Sequence, residues 1–337
     1  MTADPKPELW LAPLRGVTIR AFRTAFAEPI REAGFAGAFA PFIPANPGLR
    51  VHDRMLADLV PFPPPADFPL IPQVITKDAG ALRDLLKGLK ARGFARADLN
   101  AGCPFPMIRR RGRGAGLFRA PDVLERLLAA GCDEMGPGRF SLKTRLGLER
   151  TDELLALMPR INRYPLAVLT VHARTAHQMY TGVCDLAAFA SVAAASTNPV
   201  MYNGDWAAGD VPPAPRVMVG RSFIRSLGAR EDVDGLLGRY IDLSCAELCG
   251  DHPVLGRMKE LISYWTEIPR WRRLWPLVKI CRTVEELRDV CRPLRGGTAR
   301  GVLVSCARAD AASGRRLAGW TGPCGPACGR REGAGGS

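Results

Sequence analysis

Short apolar runs recur along the first two thirds of the chain, and most of them carry or lead into a polar or basic residue. They are residues 9–17 (LWLAPLRGV), 35–43, 70–75 (LIPQVI), 97–100 (ADLN), 140–146 (FSLKTRL), 166–172 (LAVLTVH), 199–204 (PVMYNG) and 216–220 (RVMVG). Runs of this length suit strands rather than helices. Helical patterns lie between them: 19–27 behind a Thr18 cap, 78–91 behind an Asp78 cap, 121–130 opened by Pro121, 151–161 and 186–195. The proline-rich stretch 61–69 reads as a surface loop. Strands alternating with helices make βα units on a parallel sheet, and about eight of them is the number of a (β/α)8 barrel. One connection resists: GDWAAGDVPPAP (204–215) is rich in Pro and Gly and leaves a regular crossover helix little room.

In such a barrel the C-terminal strand ends open onto one face. The residues there are Gln73, Asn100 with Cys103, Lys143 with Arg145, His172 with Arg174, Asn203, and Gly220 with Arg221. Each one alone reads as a hydrogen-bonded strand end. Gathered in one cup, so many polar groups call for a ligand to satisfy them. The string LNAGCP (99–104) places an amide and a thiol three residues apart where a strand turns, and a basic glycine-rich loop (109–118) follows it. The same string also fits a buried turn cysteine.

The donor set suits a flat, phosphorylated, hydrogen-bonding cofactor. Asn203-Gly204 and Gly220-Arg221 follow the last two strands, where glycine turns and an arginine bind phosphate. Lys143 and His172 supply donors to a ring that becomes anionic on reduction, and Gln73 suits a ring edge. Flavin mononucleotide (FMN) fits this set. The Gly-x-Gly-x-x-Gly pattern of dinucleotide folds is absent. Cys245, Cys249 and His252 lack a fourth ligand nearby, so no metal is expected.

The chain has 337 residues and a net charge of +14, which attracts polyanions and favours a nucleic-acid partner only weakly by itself. No apolar run reaches the roughly 20 residues of a membrane helix. The start MTADPKPELW lacks a basic-then-apolar leader pattern, so the expected location is the cytoplasm, without membrane attachment. Ten scattered cysteines then read as reduced thiols. After residue 232 the strands stop. Residues 234–243, 252–266 and 284–291 have helical patterns, and Trp265, Trp271 and Trp275 lie among Arg270, Arg272, Arg273 and Lys279. That reads as a small helical domain with a basic, aromatic-bearing face. The expected division is a barrel over 1–232, a helical domain over 233–296, and a disordered Gly/Arg-rich tail over 297–337.

The ordered strings LAPLRGV, PQV, LNAGCP, GRGAGLF, LKTRLG, TVHARTAHQMYTG, YNGDW and MVGRS together resemble the tRNA-dihydrouridine synthases. Those are flavin enzymes with a TIM barrel and a C-terminal helical domain, and the resemblance runs over residues 11–223. It implies hydride transfer from reduced FMN to C6 of a uracil flipped out of tRNA. It implies Cys103 as the acid that protonates C5 from the opposite face, with Asn100 orienting the base and the flavin. Pro13, Gln73, Lys143, His172, Asn203, Gly204, Asp205, Gly220 and Arg221 would hold the flavin, and Arg174 would lie near the substrate pocket. NADPH (or NADH) would be the reductant, tRNA the partner, and the protein a monomer. The chain departs from the family pattern at Arg15 and Ile19, where acidic residues are usual, and FAPFI (39–43) lacks a glutamate common there. Two other readings stay open: an FMN barrel reducing a small molecule, and a tRNA-binding protein on a decayed barrel.

Overall fold

The structure, a computed structural model, describes residues 6–48, 50–61, 67–206, 210 and 213–292. The expected tail and the middle of the 61–69 loop lie outside the described residues.

One parallel sheet holds ten strands: β1 (Glu8–Leu11), β2 (Phe35–Phe39), β3 (Ile43–Pro44), β4 (Leu70–Ile71), β5 (Gln73–Ile75), β6 (Ala97–Asn100), β7 (Phe140–Gly147), β8 (Leu169–Thr175), β9 (Val200–Asn203) and β10 (Arg216–Val219). The strand order is β3-β5-β6-β7-β8-β9-β10-β1-β2-β4. Two of the expected strands are each broken in two. Residues 40–42 interrupt β2 and β3, and Pro72, which has no N–H for the ladder, interrupts β4 and β5. Because β2 pairs with β4 and β3 with β5, the two ends of the order meet. Ten strands are thus eight staves, and the sheet closes as a (β/α)8 barrel.

Helices cover the outside. Asp78 caps Ala79–Lys90, its side chain accepting from the Ala81 N–H at 2.7 Å, and Leu82, Leu85, Leu86 and Leu89 turn inward at helical spacing. Pro121 opens Pro121–Met135, which runs five residues past the expected end and stops at Gly136, φ +90°. Thr18 does not cap the next helix, Arg20–Ala25. Its hydroxyl instead donates to the Ala12 carbonyl (2.9 Å) and accepts from the Leu14 N–H (2.8 Å), stapling the loop after β1. Between β9 and β10 the described residues contain no helix, as the Pro/Gly content anticipates.

Side chains alternate across each stave. Val74, Leu99, Leu142 and Val171 face the helices and join the main core. The alternate residues fill the barrel interior, where Trp10, Ala12, Phe39, Ile71, Val168, Met201 and Met218 form a separate apolar cluster.

Among the described residues five helices follow β10: Arg221–Leu227, Val233–Glu247, Asp251–Ser263, Pro269–Ile280 and Val284–Cys291. The fourth was hidden in the sequence by Pro276 and by its run of arginines. The expected aromatic face is corrected here, because Trp265 and Trp271 are fully buried. Their indole N–H groups donate to the Ile224 and Gly228 carbonyls at 2.7 and 2.8 Å, and their rings lie 4.8 Å apart. A Cβ on Gly228 would stand 2.4 Å from Trp265, so the close approach requires glycine. Tyr240 packs edge-on against the stacked Phe22 and Phe26. Large aromatics therefore dock these helices onto the barrel, and they and the staves belong to one compact unit ending at Arg292. Among the described residues no helix is long and apolar enough to cross a membrane.

Candidate active site

A cup opens at the C-terminal strand ends. It is lined by Ala12, Pro13, Leu14, Arg15, Phe42, Asn100, Gly102, Cys103, Pro104, Phe105, Lys143, Arg145, His172, Tyr180, Asn203, Gly204, Gly220, Arg221, Glu260 and Tyr264.

Its floor is a line of buried hydrogen bonds. Asp98 and Asn100 are two apart on β6 and share the inward face, and Gln73 on β5 lies in register with Asp98. The Gln73 amide donates to Asp98 Oδ2 at 2.7 Å. The Asn100 amide donates to Gln73 Oε1 at 2.8 Å, and Asn100 Oδ1 accepts from the Gly102 and Cys103 N–H groups at 3.1 and 2.9 Å. Burial pushes the Asp98 carboxyl up to about 7, against the pull of Gln73 and Lys143.

The Cys103 turn is clamped from three sides. Asn100 holds its amides, Arg145 Nε donates to the Gly102 carbonyl at 2.9 Å, and the Ala115 N–H donates to the Cys103 carbonyl at 3.1 Å. Gly114 has φ +55°, and a Cβ there would meet Cys103 Cβ at 2.8 Å, so the glycine-rich loop must lie flat on the cysteine. Cys103 is 7% exposed. Burial raises its pKa above the ordinary thiol value, while the Phe105 N–H and the charges of Arg145, Arg15 and Lys143 pull it down. The group at the mouth of the cup is a protonated thiol facing three cations.

One wall is cationic. Lys143 Nζ donates to Asn203 Oδ1 at 2.8 Å, and the Asn203 amide donates to the Met218 carbonyl, also at 2.8 Å. Burial, helped by Arg145, lowers the lysine pKa to about 8. His172 is neutral, held well below the imidazole range by burial and by Arg145 and Lys143. Arg145 is buried, with a pKa lowered to about 10, and it donates to the Thr175 and Met179 carbonyls. Tyr180 lies between the Arg145 and Arg221 guanidinium groups, 5.3 and 4.7 Å from its ring centroid.

Asn100, Cys103, Lys143, His172, Asn203, Gly220 and Arg221 from the strand ends, and Pro13 and Gly204, line one cup. Three others are not among its lining residues. Gln73 is fully buried beneath Asn100. Arg174 is 2% exposed at its side chain and donates to the Thr181 and Gly182 carbonyls, to Cys184 Sγ and to Asp205. Asp205 ties Arg174 to Arg221. Sequence reasoning missed Arg15, Tyr180, Glu260 and Tyr264 as cup residues. Tyr180 belongs to the TVHARTAHQMYTG string and was legible there. Glu260 and Tyr264 come from the helical segment, whose pattern pointed to no cup. Glu260, pushed up by burial and drawn down by Arg15, is the one carboxylate among the described lining residues. No group of three or more metal-binding side chains occurs among the described residues.

A sequence model of the family described as dihydrouridine synthase (Dus) matches residues 10–210. This chain belongs to the dihydrouridine synthase family. A probable tRNA-dihydrouridine synthase of Rhodobacter capsulatus is 31% identical over 231 residues, covering 64% of this chain and 67% of that protein. One of Staphylococcus aureus is 28% identical over 178 residues, 52% of each chain, so this chain spans about half the length of that dihydrouridine synthase relative. Among solved structures, morphinone reductase in complex with tetrahydroNAD superposes over 66% of this chain and 84% of its own, with a TM-score of 0.45 and 11% identity.

Proposed function

We propose that this member of the dihydrouridine synthase family is a flavin-dependent tRNA-dihydrouridine synthase, reducing the C5–C6 double bond of a uracil in tRNA. The observation that carries the reading is the protonated, clamped thiol of Cys103 at the mouth of a cup walled by Lys143, Arg145, His172 and Arg221.

The donor set fits FMN. Lys143 and neutral His172 present donors where a reduced ring carries charge, and Gly204, Gly220 and Arg221 form a corner for phosphate. Gly204 is the residue this corner requires, because a Cβ there would meet Tyr202 Oη at 2.4 Å and Cys184 Sγ at 2.7 Å. Bound FMN supplies the hydride that C6 receives, with NADPH or NADH as the source of electrons. Cys103 Sγ gives its proton to C5 on the opposite face. The thiolate left behind is stabilised by Arg145, Arg15 and Lys143 and regains a proton from solvent. Asn100 holds the turn that aims the thiol. Gln73 and Arg174 act as supports behind the lining, and the exposed Asp205 ties Arg174 to Arg221.

A base can reach a cup this enclosed only when extruded from the RNA fold. The helix and loop that follow Cys103 in the chain carry Arg109, Arg110, Arg111 and Arg113, which suit the flanking phosphates, and residues 233–292 form the helical part that would hold the tRNA body. The protein would work in the cytoplasm. The test is nucleoside mass analysis of unmodified tRNA incubated with flavin-loaded protein and NADPH. A uridine gaining two hydrogens supports the reading. No gain, with flavin bound and reducible, points to a small-molecule reductase, and no flavin binding points to a decayed barrel.

A further inference from the structure

We propose that Asp98 is a positioning residue for the Cys103 turn, acting through the side chains of Gln73 and Asn100. The proposal rests on the reading of Cys103 given above.

Asp98 has no place in the chemistry and does not line the cup. It is 0% exposed, and its Oδ1 has no hydrogen-bond partner among the described residues. Among the described residues its side-chain hydrogen-bond partner is Gln73, at 2.7 Å. Burying a carboxyl there is unfavourable, and the opposite half of the interior is filled without one. The side chain therefore has a use other than filling space.

That use is direction. Gln73 and Asn100 both carry amides, and an amide can present either its oxygen or its nitrogen. Gln73 turns Nε2 toward Asp98 Oδ2, which accepts, and Oε1 toward Asn100. Asn100 must then offer Nδ2 to Gln73 and Oδ1 to the turn. At the far end the Gly102 and Cys103 N–H groups only donate. That donor-only end fixes which way both amides point, and Asp98 Oδ2 is the acceptor that closes the relay. Every link is buried, and none of the side chains in it is exposed beyond 8%. With the root removed, Gln73 loses its anchor, Asn100 loses its fixed partner, and the turn is held only by Arg145 and the glycine-rich loop.

The test compares two near-isosteric substitutions in the full chain, Asp98→Asn and Asp98→Leu. Asparagine still accepts from Gln73, whereas leucine fills the space and accepts nothing. The first readout is the rate of Cys103 alkylation by iodoacetamide, followed by peptide mass, with the exposed Cys245 as the internal control. Asp98→Leu should change the Cys103 rate by about fivefold and leave Cys245 alone, while Asp98→Asn returns most of the way to wild type. The second readout is turnover with tRNA, where Asp98→Leu should lower kcat roughly tenfold or more with little effect on KM or on flavin affinity. If Asp98→Leu does not fold, Gln73→Met cuts the same relay one link along and should reproduce the Cys103 change. Equal Cys103 rates in the Asn and Leu proteins, or a Gln73→Met rate matching wild type, would overturn the proposal. Failure of wild-type protein to reduce uridine would defeat the functional reading instead, and the alkylation comparison would still decide the relay.

Discussion

The two halves of the barrel interior belong to one closed sheet, yet they are filled in opposite ways. On the side of β9, β10, β1, β2 and β4 the inward residues are Met201, Met218, Trp10, Phe39 and Ile71, joined by Ala12 and Val168. On the side of β5 to β8 they are Gln73, Asp98, Ser141, Lys143, Arg145, Thr170 and His172, all buried or half-buried. The apolar half needs only to fit. The polar half must hold directional groups away from water: many of them pair in the relay and wall that carry the cup, while Asp98 Oδ1, Ser141 Oγ and Thr170 Oγ1 have no hydrogen-bond partner among the described residues. Buried polarity is unfavourable for stability, so its confinement to one side marks where this fold gives up stability for chemistry.

The largest effect should come from the polar side. Cys103→Ala should lower uridine reduction by about a hundredfold or more with flavin still bound, measured by single-turnover mixing of reduced protein with tRNA. Turnover near wild type would remove the thiol as the acid. On the apolar side Phe39→Ala should instead cost about 3–5 kcal/mol in denaturant unfolding, while flavin-loaded protein turns over much as before. A large loss of kcat in that variant would erase the division between the halves.

A pH series sharpens the contrast. The folded-state pKa of Asp98, about 7, lies above the ordinary 3.8. The folded state therefore holds its proton longer than the unfolded chain does. Below the unfolded value the carboxyl is neutral in both states and has no such effect. As pH rises from about 4 to about 7 the folded state loses relative stability, and above about 7 the loss is constant. The Tm of Asp98→Asn, relative to wild type, should climb across that window and then level off. A gap independent of pH would mean that the carboxyl is not titrating from its buried position. The smallest effect belongs to Met218→Leu, a volume-conserving change in the apolar half, which should shift stability by less than about 1.5 kcal/mol and leave flavin affinity in place.

The strand-end pattern made the barrel and most of the cup legible. Lys143, His172, Asn203 and Arg221 announced themselves because a polar residue closing an apolar run has few other uses. What the chain concealed depended on contacts between distant segments. Pro72 inside LIPQVI was visible, but the pairing of each half of that broken stave with a different partner was not. Thr18 before a helix looked like a cap, and its hydroxyl was taken by the Ala12 carbonyl instead. Trp265 and Trp271 among arginines looked like an RNA-binding face, whereas the carbonyls awaiting their indoles belong to residues 224 and 228. Gln73 looked like a ligand for the flavin, and only the structure shows both ends of its amide engaged.

Glu260 and Tyr264 reach the cup from a helical segment that begins after the last stave. Gly16, at φ +80°, brings the loop after β1 against the Glu260 carboxylate, so this loop and that distant helix meet at the cup. Barrel and helices therefore cannot be exchanged among relatives as independent modules. A chimera that imports a foreign helical segment also imports part of the pocket wall, and it must bring a matching first loop or lose both.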